Sequence, residues 1–580
     1  MCVDQVSVQP MRILFLHSED AAQSGAWPKM RWDQVIDLGI SGAHTYERWG
    51  EFFQCPVSDL GFQRIDPGPV RNALGAGLGF LLDDHGIDWW EVISMQYVQQ
   101  IYRIVALQEL VSNISAQDEV FVSRLGLDSR VLEILLGRPI SCFSHGAGFS
   151  QKLGHLYNRS RQLTYSQIKQ ICWDKYDENH RIRALLAPEK VCGKNPAILL
   201  PTAYVNVTRT ALAYAETLRG NNFLLVTARS SGCAKTLPEN VDQTNLASYA
   251  QNQIDAREYG ELCARWKDLR GRLCSHPVMA ALLMSGAADS FEGGLRKWLA
   301  VRNAWINVLD SEPVEGVLSC DDVNPYTHIP GFLAKKRGIT WISAHHGALD
   351  GQYIFKQSRA DFLLTKNEME RDYLVRVCRV PEDRTRMAAP IIKEPDGCQK
   401  FNSSIVFFSE DYEASGGRTE EFYLDVLPPL LKLAKVHGKE LILKLHPAES
   451  LRDRRRILKR VLLRDERRGL RMVDGPLTEE LMDKIWFGCT VISTAALDCA
   501  IRGIPVFLCG WLENWPFGYL EQFAAHGVGI KLSCPDEIPQ IPCLLESFEL
   551  KQAGKFQQPV RLESWQEIIS ETLPTPIQVA

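Results

Sequence analysis

Leu443-Lys444-Leu445-His446-Pro447 and Ile492-Ser493-Thr494-Ala495-Ala496-Leu497-Asp498-Cys499-Ala500 are the two pieces on which the reading of this 580-residue chain turns. Each sets polar side chains directly after an apolar, strand-like run: Glu440 to Leu445 in one case, Thr490 to Ile492 in the other. Ligands of a parallel α/β sheet sit at the carboxyl ends of its strands, so both pieces are expected on one rim. Ser493 and Thr494 fall where a helix should begin. Ala495 to Ile501 has helical character, and Gly503-Ile504-Pro505 ends it before a further strand, Val506-Phe507-Leu508. Hydroxyls at a helix start, beside free amides, suit a phosphate.

Each feature alone has a plainer reading. Ser or Thr at a helix start more often caps the helix than holds a ligand, and a lone His-Pro is usually a turn. Their combination is more informative. Asp498 lies one helical turn beyond Thr494, so a hydroxyl pair and a carboxylate share one face, suited to phosphate and ribose respectively.

The order Lys444-x-His446-Pro447, then Ser493-Thr494 with Asp498, then Gly503-x-Pro505-Val506 resembles the nucleotide-binding half of GT-B glycosyltransferases that build bacterial surface polysaccharides. It is nearest to the capsule-type Kdo- and sialyltransferases with their HP and S-S/T motifs, and is similar to the CDP-glycerol transferases. The resemblance spans roughly 315–535. It implies that His446 lies by the nucleotide and its phosphate, that Ser493 and Thr494 hold phosphate, and that Asp498 takes the ribose. Most such enzymes carry Glu at that last position. The implied fold class is α/β and GT-B-like: two Rossmann-like domains facing a cleft, here with an enlarged N-terminal α/β region.

At this length more than one core is required. The expected division is 1–195 for the N-terminal α/β region, 196–397 for a Rossmann-like acceptor-side domain, 398–545 for the nucleotide-sugar-binding domain, and 546–580 for a tail with a closing helix, Trp565 to Leu573. The linker is Ile391 to Ser403. With 45% apolar and 23% charged residues the composition is that of a soluble globular protein, and a net charge of -5 argues against a general nucleic-acid binder. The 16 cysteines include no Cys-x-x-Cys, and several lie in apolar patterns, so buried thiols are expected in preference to disulfides. Met1 to Met11 lacks a basic region followed by an apolar one, and no run of 18 apolar residues occurs. A cytoplasmic protein is expected, able to rest on the anionic inner face of the membrane. Arg452 to Arg471, with ten basic residues against three acids, is first a solvated helix face and second a site for anionic lipid or glycan.

Strands are expected at Arg12 to His17, Val35 to Leu38, Val120 to Val122 and Ile140 to Phe143. Trp89 to Leu110 is expected as one long helix with Trp89 and Trp90 in the core, and Gly75 to Gly79 as a packing feature. Ser144 to Gly148 follows a strand and is either a turn or an acceptor contact. A fresh α/β stretch starts at Ala197, and Tyr204, Asn206 and Arg209 at its first strand-to-helix turn are candidate acceptor-side residues. Ser230 to Thr244 has the character of a polar loop, and Arg257 to Leu309 of helices. Further strands end at Asp321-Asp322 and at His345-His346-Gly347, the latter resembling the His-Gly of GT-B N-terminal domains.

No HExxH, GT-A-like DxD or spaced Cys/His set is present, so a metal-independent transferase without a cofactor is expected. Such a reaction needs a base for the acceptor hydroxyl and fixed donors for the leaving nucleotide. Asp321, Asp322 and His346 are the base candidates. Lys444, His446, Pro447, Ser493, Thr494 and Asp498 make up the donor side, with Arg418 joining them if Gly416-Gly417-Arg418 clasps a phosphate. The expected partners are a nucleotide-sugar and a glycan or glycolipid acceptor. Two rival readings share the architecture: a nucleotide-sugar 2-epimerase, which needs no acceptor, and a non-catalytic glycan-binding scaffold.

Overall fold

The computed structural model describes residues 10–17, 31–39, 43–60, 66–142, 195–250, 254–321, 324–347, 352–355, 359–390, 402–412, 418–447, 449–513, 518–547 and 564–570. Its framework is three β-sheets, every strand pair parallel. The first holds β1 (Arg12–Leu16), β2 (Gln34–Asp37), β3 (Val57–Asp59), β4 (Glu119–Val122) and β5 (Ser141–Cys142) in the order β3-β2-β1-β4-β5.

The second sheet holds β6 (Ala197–Thr202), β7 (Phe223–Thr227), β8 (Val241–Asn245), β9 (Val314–Ser319), β10 (Thr340–Ser343), β11 (Phe362–Thr365) and β12 (Thr385–Met387), ordered β12-β11-β10-β9-β6-β7-β8. The third holds β13 (Ser404–Phe408), β14 (Glu440–Lys444), β15 (Leu470–Val473), β16 (Ile485–Thr490), β17 (Val506–Cys509) and β18 (Ile530–Leu532), ordered β15-β14-β13-β16-β17-β18. Parallel pairing forces helical crossovers onto both faces, which is why central strands such as Ile405 to Phe408 are continuously apolar and buried. The class is therefore α/β with Rossmann-like parallel sheets, and the N-terminal region is a sheet of its own.

The first and second sheets interlock through helices. Helix Ala256–Leu273 packs Trp266 against Phe291 (ring centroids 3.9 Å apart) and against Trp90 (6.0 Å), and both tryptophans of the Trp89-Trp90 pair are fully buried. A Cβ on Gly77 would stand 2.5 Å from the Trp90 indole, so this glycine is where backbone and ring approach. Beside them the buried Arg302 guanidinium bridges Asp83 and Glu258.

Several expectations need correction. The segment from Trp89 is two helices, Trp89–Ser94 and Val98–Val111, joined by a 3₁₀ turn at Met95–Tyr97. The polar run to Thr244 contains an edge strand, β8, whose Asp242 and Gln243 disguise it because one side of an edge faces water. The strand before Ser493 runs Ile485–Thr490 and stops short of Ile492. Among the described residues all cysteines are free thiols, and no helix is long and apolar enough to cross a membrane. Ser144 to Gly148 lies outside the described residues.

The closing helix, Trp565–Ile569, returns to the second sheet. Trp565 is buried there, its backbone N–H donates to Asn221 Oδ1 (3.1 Å), and its ring fills the space a Cβ on Gly316 would need. Truncating it to alanine should cost about 3–5 kcal/mol locally, as for other large buried aromatics. Limited proteolysis should then release the C-terminal tail sooner while far-UV circular dichroism stays unchanged. An unaltered cleavage rate would show that the indole does not hold the tail.

Candidate functional site

The site is built from strand ends. On the third sheet, β14 runs into Leu445-His446-Pro447, β13 into Ser409-Glu410, and β16 into Val491-Ile492-Ser493 before helix Ala495–Ile501. Thr494 occupies the N-cap position without a side-chain cap bond, while Ser493 Oγ accepts weakly from Ala495 N (3.3 Å). Asp498 N donates to the Thr494 carbonyl (3.4 Å), which puts the carboxylate on the turn above the hydroxyls. Asp498 is open to solvent, yet crowding by protein raises its carboxyl, with Arg502, Lys366 and Arg209 pulling the other way. Accessible and crowded together is the condition of a group on a cleft floor.

The opposing rim belongs to the second sheet. His346 follows β10, and its Nδ1 lies 3.2 Å from the Cys320 carbonyl beyond β9. A carbonyl only accepts, so Nδ1 carries the hydrogen and Nε2 of the neutral ring keeps its lone pair. His345 stacks on it, 5.2 Å between centroids. Lys366, just past β11, donates to the Gly347 carbonyl (3.3 Å) and lies 3.8 Å from Glu370. Its field, like that of Arg209, reaches Asp498.

The two rims meet electrostatically. His446 is held below the usual histidine value first by burial, then by the neighbouring Lys444 and, from the second sheet, His346. Lys444 is lowered by burial, with Asp474 and Glu449 opposing and Arg209 adding to the depression. Arg209 is exposed and makes no hydrogen bond or ion pair to another described residue. Its field reaches Lys444 and Asp498 of the third sheet, while Tyr204 and Asn206, expected with it on the acceptor side, share its strand-to-helix turn.

Other expected residues have different tasks. Lys444 Nζ donates to the carbonyls of Leu445 (2.9 Å) and Gly475 (2.7 Å), so two of its three donors tie β14 to the turn after β15. Arg418 is drawn away from the cleft: it pairs with the fully buried Asp37 at the end of β2 and with Glu421, and lies 5.5 Å over the Trp49 ring. Tyr204 accepts from Asn324 Nδ2 (2.6 Å) and lies under the Arg229 guanidinium, Asn206 is half-buried in the first turn of helix Val205–Thr217, and Pro447 is exposed in a turn. Asp321 is buried and accepts from Asn324 N (3.3 Å). Asp322, Gly416 and Gly417 lie outside the described residues. No group of three or more His, Cys, Asp or Glu among the described residues forms a metal-binding cluster.

Sequence reading missed the acids behind the site. Glu410 Oε1 accepts from Ile492 N (2.8 Å) and Thr490 Oγ1 (2.9 Å), and burial pushes its carboxyl up to about 7. Glu449 accepts from His446 N (2.7 Å), Ser409 Oγ (2.8 Å) and Arg454 Nε (2.7 Å), and burial raises it too. An acidic residue two positions past the central strand β13 was the available signal for Glu410; Glu449, beyond the His446-Pro447 turn, offered none.

No protein-family model matches the chain, and no curated protein matches it in sequence. Among solved structures it is similar to the UDP-GlcNAc 2-epimerase of Neisseria meningitidis bound to UDP-GlcNAc, at 12% identity and a TM-score of 0.37, over 62% of this chain and 95% of that one. It is similar also to CalG4, the calicheamicin glycosyltransferase, at 10% identity and a TM-score of 0.38, over 63% and 94%. A third is a glycosyltransferase from Rickettsia africae ESF-5, at 9% identity and a TM-score of 0.37, over 63% and 92%.

Two outcomes are expected from these geometries. Arg418→Ala leaves Asp37 buried without its guanidinium, which should cost about 3 kcal/mol in urea unfolding. Nucleotide affinity measured by calorimetry should stay within about two-fold, a change too small to count as loss of one ion-paired contact; a large drop in affinity without destabilisation would return Arg418 to the phosphate. The second concerns pH. The folded chain holds a proton on Glu410 up to about pH 7, whereas the unfolded side chain releases it near its ordinary 4.5. The folded state thus binds more protons in that window, and stability falls as pH rises through it, by on the order of 3 kcal/mol. His446, depressed, acts in the opposite direction, so the test is the difference between wild-type and Glu410→Gln unfolding curves at several pH values. Parallel curves would show that Glu410 titrates normally.

Proposed function

We propose that the chain is a glycosyltransferase that moves a sugar from a nucleotide-activated donor to a surface-polysaccharide or glycolipid acceptor. A CMP-sugar is the favoured donor, with UDP-, GDP- and CDP-sugars as alternatives. One observation carries the reading: Lys366 and Arg209 from the second sheet bear on Asp498 of the third, and Arg209 bears also on Lys444, so cationic side chains of two sheets converge on one place. A diphosphate or phosphate leaving group is the ligand such a place suits.

In this reading Ser493 and Thr494 donate hydroxyl hydrogens to the phosphate, His446 donates a ring N–H, and Arg209 and Lys366 neutralise the charge that grows there. Asp498 accepts from the ribose hydroxyls. His346 Nε2, held in the right tautomer by the Cys320 carbonyl, takes the acceptor's hydroxyl proton. The acceptor oxygen bonds to the anomeric carbon, the bond from that carbon to the phosphate oxygen breaks, and its electron pair stays on the phosphate. The reaction draws on side chains alone. Peripheral contact of the basic Arg452 to Arg471 segment with an anionic membrane belongs to the same proposal.

A thermal-shift series with CMP, CDP, UDP and GDP tests the binding step, since a ligand at about 100 times its Kd adds roughly 2.7 kcal/mol to the folded state. At least one should raise the melting temperature, and Ser493→Ala with Thr494→Ala should abolish the shift while leaving the unliganded protein folded. His446→Ala should weaken nucleotide binding and slow turnover by about two orders of magnitude. His346→Gln should keep nucleotide affinity and lose at least about 100-fold in rate. No shift with any nucleotide would leave a non-catalytic scaffold, and turnover of a nucleotide-sugar to its 2-epimer without acceptor would make the chain an epimerase.

A further inference from the structure

The end of β13 stands between the two pieces that carry the candidate donor site. In the order β15-β14-β13-β16-β17-β18 the chain leaves β13 for β14 on one side and comes back to β16 on the other, so the crevice of this sheet opens at the carboxyl end of β13. Ser409 and Glu410 occupy that end, and they reach in opposite directions.

Ser409 Oγ donates to Glu449 Oε1 (2.8 Å), and the other oxygen of that carboxylate accepts from the backbone N–H of His446 (2.7 Å). The Tyr423 hydroxyl, 2.7 Å from Ser409 Oγ, supplies the hydrogen that Ser409 accepts, and Arg454 Nε compensates the Glu449 charge from helix Leu451–Val461. Glu410 Oε1 turns to the other side and receives Ile492 N (2.8 Å) and the Thr490 hydroxyl (2.9 Å), which also lies 3.1 Å from the Phe408 carbonyl. Thr490 Oγ1 in turn accepts from Ser493 N (3.3 Å). Two consecutive residues therefore clasp the His446 turn and the Ser493-Thr494 turn.

We propose that Glu410 is a positioning residue of the donor site: through Thr490 and Ile492 it sets the place of Ser493 and Thr494 relative to His446 and fixes the spacing to which a nucleotide phosphate must fit. This rests on the nucleotide reading above. The turn after β16 has little else to hold it. Helix Ala495–Ile501 is two turns long, and the Thr494 side chain makes no cap bond. An oxygen that collects two donors, one from the backbone of Ile492 and one from the Thr490 side chain, restrains such a turn at two points. The groups bearing on Glu410 are Glu449, Tyr412, Cys509 and Thr490, and burial first, then the nearby acid Glu449, favours a proton on it. Glu410 is thus able to hold the turn without adding a full negative charge behind a phosphate.

The experiment compares Glu410→Ala with Glu410→Gln in the full chain. The glutamine keeps a carbonyl oxygen for both donors and turns an amide toward Glu449, so it should behave as wild type; the alanine has nothing to offer. Hydrogen exchange followed by mass spectrometry on the peptide covering 490–497 should accelerate by at least about ten-fold in Glu410→Ala and stay unchanged in Glu410→Gln, equivalent to losing roughly 1.4 kcal/mol of local protection. With CMP and UDP as probes, calorimetric affinity should fall at least ten-fold in Glu410→Ala and recover in Glu410→Gln. Should Glu410→Ala unfold, Thr490→Val tests the same arm, with the same two readouts expected to change. Exchange at 490–497 that is the same in all three proteins overturns the proposal. Faster exchange in Glu410→Ala, with a wild-type chain that binds neither probe, would instead retain the clasp and overturn the nucleotide reading.

Discussion

Every strand of the three described sheets pairs in parallel, and that single constraint organises the rest. A parallel strand cannot turn back on itself, so each connection must cross the sheet through a helix, and both faces become dry. Polar side chains are then left one place to meet a ligand, the rim where strands end. His346, Lys366 and Asp321 stand on one such rim and Glu410, His446 and Ser493 on another, each within a few residues of the last paired strand position. Opposing the two rims turns separate strand ends into a cleft.

Burial at those ends is also what gives the site its chemistry. Desolvation lowers Lys444 and His446 and raises Glu410, Glu449 and Asp498, all in the direction of the neutral form. Acids that lean toward neutrality beside Arg209 and Lys366 are the setting in which the proposed phosphate would lie. The acids are not idle: Glu449 carries the His446 amide and Glu410 the turn of Ser493, so groups that hold the geometry also keep negative charge low where phosphate is proposed to lie.

Arginine use shows how finely this is divided. Arg302 is buried between Asp83 and Glu258, Arg454 serves Glu449, Arg502 is gripped by Glu479, and Arg418 ties the third sheet to Asp37 of the first. Arg209 alone of these reaches the cleft without such a partner among the described residues. All five look alike in a sequence. Their roles differ because each guanidinium goes to the carboxylate that folding brings within reach, and those carboxylates are distant in the chain.

The sequence by itself determined the α/β class, most strands, the buried tryptophans and the helix start after Thr494, because periodicity, chain breakers and apolar runs are local properties. It hid β8, whose polar residues belong to a wet edge, and the 3₁₀ break at Met95–Tyr97, which helical periodicity spans without notice. Only the tertiary structure decided that Arg418 pairs with the buried Asp37, that Arg209 comes within electrostatic reach of Lys444 and Asp498, that Lys444 is largely spent on carbonyls, and that Glu410 and Glu449 stand behind the turns of Ser493 and His446. Those outcomes depend on which distant groups share a rim and how much water folding removes from them, and neither is written in the spacing of residues along the chain.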